Sequence, residues 1–132
     1  MAKILEITPE LDPQISDGRT HKSCVATKVV DITEDCPNAK KPQNADDVIL
    51  IYTASSAGPL VVLCWLHTHP ATKRREKVGF IHFRVDKLDA DTFVNRSLGP
   101  IATNLGLTKE DLIALIRTHA PAIKNQPTEV LL

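Results

Sequence analysis

Along the first two thirds of the chain apolar residues alternate with polar ones or run together; in the last third they recur at helical spacing. Three consecutive strands are predicted from position 48 onward: Val48 to Thr53, Leu60 to His67 and Val78 to Val85. In the third, Ile81, Phe83 and Val85 fall on one face and His82, Arg84 and Asp86 on the other, the period-two pattern of a half-buried strand. The second is apolar on both faces, with Val62, Cys64 and Leu66 opposing Val61, Leu63 and Trp65, which marks a central or twice-covered strand. The first is similar, Ile49 and Ile51 lying opposite Val48, Leu50 and Tyr52. A meander that hands its helices to the C-terminus predicts a sheet with one covered and one open face.

Everything after Asp89 has helical character. Asp89 or Asp91 can cap a helix whose stripe is Val94, Leu98, Ile101 and Leu105, and Gly99-Pro100 inside it should kink or split it. Gly106 ends that helix, and Thr108 caps a second, with Asp111 at its third helical position. Leu112, Ile113, Leu115 and Ile116 form the second apolar face, and Ala120-Pro121 stops it. Both stripes need a sheet to lie on, in this chain or in another. Upstream, residues 3–8 read as a short opening strand and Val25 to Val30 as a β-branched one. Turn chemistry at Leu11-Asp12-Pro13 and Ser16-Asp17-Gly18 separates them, and residues 35–46 read as an exposed loop.

At 132 residues the chain suits one domain. Sixteen basic and sixteen acidic side chains give a formal charge of zero, which argues against nucleic-acid binding by bulk electrostatics and leaves a local basic face open. Aromatics make up only 4%, too few for a broad stacking platform. Cys24, Cys36 and Cys64 form no CxxC pair and no disulfide framework, as expected of a reduced, cytosolic, soluble chain. Cys64 reads as a small buried hydrophobe, and Leu60 to Leu66 is too short to span a bilayer.

Two strings invite chemistry. His67-Thr68-His69-Pro70 resembles the His-x-His-Pro element of JAMM-type zinc isopeptidases, where both histidines bind metal. That family completes its site with a downstream Ser and Asp, and here Val78 and Ile81 stand at those positions. A catalytic zinc needs three protein ligands, so no metal, cofactor or catalytic residue is assigned. The basic loop Lys73-Arg74-Arg75-Glu76-Lys77 suits a solvated hairpin tip or a phosphate contact. His82 and Arg84 are held in register by their strand and are the better candidates for RNA, with Trp65 able to stack on a base.

In pattern and length these residues resemble the coat proteins of the single-stranded RNA bacteriophages, the leviviruses. The opening strand and turn after Met1-Ala2-Lys3 resemble that family's N-terminal hairpin. Val48 to Ala57, Leu60 to Pro70 and Val78 to Asp86 resemble its successive strands, and Asp89 to Leu105 and Thr108 to Ile123 its two closing helices. The resemblance implies an α+β fold in a single coat-protein domain, 1–132, divided into a sheet region, 1–88, and a helical dimerisation region, 89–132. The helices would lie over the partner subunit's sheet in an intertwined homodimer, through Val94, Leu98, Ile101, Leu105, Leu112, Ile113, Leu115 and Ile116. Dimers would build a T=3 icosahedral shell around single-stranded genomic RNA, the loop Lys73, Arg74, Arg75 and Lys77 lying between dimers. An inner row of Thr53, Trp65, His67, His82, Arg84 and Asp86 would face RNA and repress translation through a hairpin. The resemblance places such a protein in the virion, and in the host bacterial cytoplasm during assembly, as a structural protein and not an enzyme. Ile49 and Ile51 stand where that family usually carries polar residues, and Pro100 interrupts its long helix. Two alternatives come from other classes: a small zinc hydrolase using the His-Thr-His-Pro string, and a dimeric RNA-binding module that never assembles.

Overall fold

The computed structural model describes residues 3–7, 26–36, 45–53 and 59–121. Five antiparallel strands form one sheet in chain order: β1 (Lys3–Leu5), β2 (Ala26–Asp31), β3 (Asp47–Thr53), β4 (Leu60–Thr68) and β5 (Arg75–Arg84). The expected meander is present. The opening strand is shorter than predicted and pairs with β2, Ile4 against Val30. The turns between them, Cys24 and the loop over 37–44 lie outside the described residues.

The register explains the double apolarity of β3 and β4. Val48, Leu50 and Tyr52 share a face with Val61, Leu63, Ile81 and Phe83, because Leu50 pairs with Leu63 and Val61 with Phe83. The opposite face carries Ile49, Ile51, Val62, Cys64 and Leu66. Both sets are buried except for the half-buried Ile81, so the expected open face is largely closed over β2 to β4. Val29, Ile49, Ile51, Val62, Cys64 and Leu66 are at most 1% exposed. Twice-buried strands are what an unbroken apolar run requires. β5 opens on this side, where Phe80 is 48% exposed and the neighbouring Val78 38%, and at the other edge of the sheet Lys3 is exposed as well.

β5 begins earlier than its apolar pattern suggests, taking in Arg75, Glu76 and Lys77 from the basic loop. The reason is a bulge. Trp65 pairs with Gly79 but Leu66 pairs with Lys77, leaving Val78 as the extra residue. Alternation counted straight through position 78 therefore misassigns the faces of the residues before it.

The helices lie on the first face of the chain's own sheet. After β5, a 3-10 segment (Val85–Asp89) turns the chain, and Asp86 belongs to it and not to the strand row. The first helical stretch is split as Gly99-Pro100 predicts: α1 (Asp91–Phe93), a π-helical turn (Val94–Leu98) and α2 (Gly99–Leu105). Pro100 lacks an N–H and its ring would crowd the carbonyl four residues back in a regular α-helix. The wider turn accommodates it, with the Gly99 N–H reaching the Val94 carbonyl. Ala90 occupies the N-cap position without a side-chain bond, so neither Asp89 nor Asp91 caps this helix. Gly106 ends it at φ 82°, a left-handed position that suits glycine. In α3 (Lys109–His119) the Thr108 hydroxyl accepts from the Asp111 N–H at 3.0 Å, as predicted.

Leu98, Ala102, Leu105, Leu112 and Ile116 are fully buried against Leu50, Tyr52, Leu63 and Phe83. The Tyr52 hydroxyl donates to the Ile116 carbonyl at 2.7 Å, tying α3 to the centre of the sheet. Among the described residues no helix is long and apolar enough to cross a membrane.

Candidate functional site

Two places combine exposure with chemistry: the outer row of β5 and the tip of the β4–β5 hairpin. β5 is an edge strand, since among the described residues it pairs only with β4. Its second-face row runs Arg84, His82, Phe80, set by the partners Leu60, Val62 and Cys64. All three are exposed, and the Phe80 and His82 rings stack at 6.1 Å with 28° between planes. Phe80 is thus an open aromatic beside the two residues expected to face RNA, two positions before His82 in the same alternating row. Arg84 is drawn toward Asp86, Nε to Oδ1 at 3.4 Å. Below the row lies Cys64, whose thiol burial pushes up to about 12, so it stays protonated and unreactive near neutrality.

The expected single row of RNA contacts divides. His82 and Arg84 stand on the second face, but Trp65 and His67 point to the first, the side of the helices. Odd positions of β4 share a face with Phe83 and Ile81, which forces the separation. Thr53 is on the second face but only 1% exposed, and its hydroxyl has no hydrogen-bond partner among the described residues. Trp65 packs half-buried against the core, and its Nε1 too has no partner among the described residues. Thr53 cannot reach a polymer in solvent without a rearrangement of the core, whereas Trp65 offers only the part of its ring that the core leaves uncovered.

At the hairpin end the two histidines serve different partners. His67 Nδ1 lies 3.2 Å from Asp46 Oδ2, which also accepts from the Thr68 N–H at 2.8 Å. His69 Nδ1 accepts from the N–H groups of Ala71 and Thr72 at 3.1 and 3.3 Å, so the ring proton sits on Nε2. Further bonds close the tip: His69 N–H to the Arg74 carbonyl and Lys73 N–H to the His69 carbonyl, both 2.8 Å. The Arg74 N–H reaches the Thr72 hydroxyl at 3.3 Å. Among the described residues no group of three His, Cys, Asp or Glu side chains could hold a metal ion. The isopeptidase-like string is a turn-building element here.

The residues expected at a dimer interface are placed by the helices. Val94, Leu98, Leu105, Leu112 and Ile116 are buried within the chain, while Ile101, Ile113 and Leu115 are half-buried at the margin of the same core. No protein-family model matches this chain, and the searches of curated proteins and of solved structures also return no match.

Proposed function

We propose that this chain is a non-enzymatic coat protein of the single-stranded RNA bacteriophage type, which dimerises, assembles into an icosahedral shell and packages RNA. The observation that carries this reading is an exposed edge strand leading directly into the helices. β5 is ten residues long, has no second strand neighbour among the described residues, and shows Val78 and Phe80 to solvent. Exposed apolar edges are self-association sites unless covered. A second copy covers this one by antiparallel pairing of its own β5. The bulge at Val78 limits regular pairing about Ile81 to residues 79–83. A register centred on Ile81 sets Phe80 of one copy opposite His82 of the other and extends the ring stack already present in each.

The intertwined form of the dimer belongs to the same proposal as an exchange. The helical unit is joined to β5 by the short Val85–Asp89 segment, so it can leave its own sheet for the other copy's. Leu98, Leu105, Leu112 and Ile116 then make between chains the contacts they make here within one. Ile101, Ile113 and Leu115 would complete the interface. In the assembled dimer two β5 rows lie side by side, and His82 and Arg84 of both copies form one surface toward RNA. Arg84 supplies a charge-assisted bond to phosphate or a base edge.

The test is expression of the chain alone in bacteria, followed by size-exclusion chromatography and negative-stain electron microscopy. Uniform hollow particles that carry nucleic acid are the expected result. A discrete dimer with nothing larger would leave the sheet-edge pairing in place and remove the shell.

A further inference from the structure

We infer that the tip of the β4–β5 hairpin is a phosphate-contact site for single-stranded RNA, separate from the His82–Arg84 row. The inference rests on the coat reading only for the choice of RNA as the polyanion. Three cations stand on consecutive residues, Lys73, Arg74 and Arg75, and none makes an ion pair among the described residues. The chain as a whole has no net charge, so this concentration is local and is not part of a general basicity. Neighbouring like charges repel, and that repulsion is relieved when an anion binds. Glu76, the nearest acid in sequence, alternates to the face opposite Arg75, paired in register with His67.

The tip is also built to hold its shape. The His69 ring and backbone, with the Thr72 hydroxyl, close the turn through the bonds described above. Lys73 has φ 62°, and among the described residues no other non-glycine residue has positive φ. Glycine or asparagine would turn the chain there with less strain. The strained position instead presents a lysine at the apex. A fixed loop loses little freedom on binding, and two adjacent guanidinium groups suit phosphate oxygens better than flexible ammonium groups do. Such contacts carry no base information, so this site grips any RNA segment while the β5 row discriminates.

The experiment is fluorescence anisotropy of labelled, unstructured single-stranded RNA against the full-length chain, across a salt series, on two unrelated sequences. Each phosphate neutralised on a single strand contributes about 0.7 to the slope of log K against log salt. Lys73→Ala/Arg74→Ala/Arg75→Ala should therefore lower that slope by about 2, equally for both sequences, with no change in the melting temperature. Arg74→Glu is the second variant, in case the triple one folds poorly, and should lower the slope in the same direction. An unchanged slope in either folded variant overturns the assignment. So does a triple variant that keeps its slope but no longer forms particles, since the loop would then contact neighbouring subunits. If the wild type forms no particles and the slope still falls, the shell is wrong and this site stands. If the wild type forms particles and the slope stays unchanged, the shell stands and this site is wrong.

Discussion

β4 and β5 are hydrogen-bonded neighbours along their whole length, yet they do opposite work. β4 is buried on both sides from Val61 to Cys64, whereas β5 is buried only at Phe83 and open along Val78, Phe80, His82 and Arg84. Their compositions differ accordingly: β4 reads LVVLCWLHT and β5 REKVGFIHFR. The interior strand spends its side chains on cohesion and has none free for recognition. The edge strand gives one face to the core and leaves the other exposed. On the proposed function, stability and self-association are thereby separated by a single ladder of hydrogen bonds, and substitutions on the two strands should have effects of different kinds.

The largest effect belongs to the interior strand. Leu63 is fully buried between Leu50 and Ile81 in register, on the face that the helices cover. Leu63→Ala removes that packing and leaves a cavity, at a cost of about 2–5 kcal/mol. Urea titration followed by circular dichroism would measure it. A loss under about 1 kcal/mol would mean that the site collapses around the smaller side chain, and the view of β4 as the stability strand would fail.

Much of this contrast was legible in the residues themselves. Apolar runs at Val48 to Tyr52 and Val61 to Leu66 announced strands buried twice, because no half-exposed strand can carry them. Thr108 and Gly106 announced helix ends through chemistry that is local to a turn. Gly99-Pro100 announced the break, though not its π-helical form, which depends on how the neighbouring turns share the missing bond. The site was less legible, for reasons of register. One extra residue at Val78 shifts every face before it, and nothing in the string REKVGF marks that residue as extra. Trp65 and His67 fell on the helix side because pairing with β5 decides the face, and pairing is a long-range property. Thr53 looks like a surface polar residue by type, yet it is buried by its surroundings. Phe80 was missed for the converse reason: an aromatic in a strand signals a core until the strand is known to be an edge.

A smaller effect sharpens the comparison from beneath β5. Burial pushes the Cys64 thiol from an ordinary value of 9.0 to about 12. A raised value means that the folded state favours the protonated thiol. The associated stability is fully present below about pH 9 and is lost as pH rises toward 12. Cys64→Val keeps the volume and removes the titration, so its stability should fall less than the wild type's over that alkaline window. Chemical denaturation at pH 8 and at pH 10.5, in reducing buffer, makes the comparison. Equal losses in the two proteins would show that the second face admits water at Cys64, and that β4 is not sealed on the side of the β5 row.

The smallest effect on folding is expected at Phe80, and it decides the most about function. Phe80 is 48% exposed, so Phe80→Ser should change stability by no more than about 0.5 kcal/mol, as surface substitutions usually do. If β5 pairs with a second copy across Ile81, that substitution sits at the centre of the seam. It removes two buried aromatic rings from the dimer, one from each copy, together with their stacking on His82. Dissociation should then rise well beyond the change in stability, by tenfold or more for each ~1.4 kcal/mol of interface lost. Sedimentation equilibrium with a parallel thermal melt separates the two quantities. A folded monomer at concentrations where the wild type is dimeric is the expected outcome. A variant that melts early, with its dimer intact, would place Phe80 in the core of the chain and make β5 a second cohesive strand like β4. The division of labour between the two strands would then be false, and with it the argument that the open edge is where this protein meets its own copies.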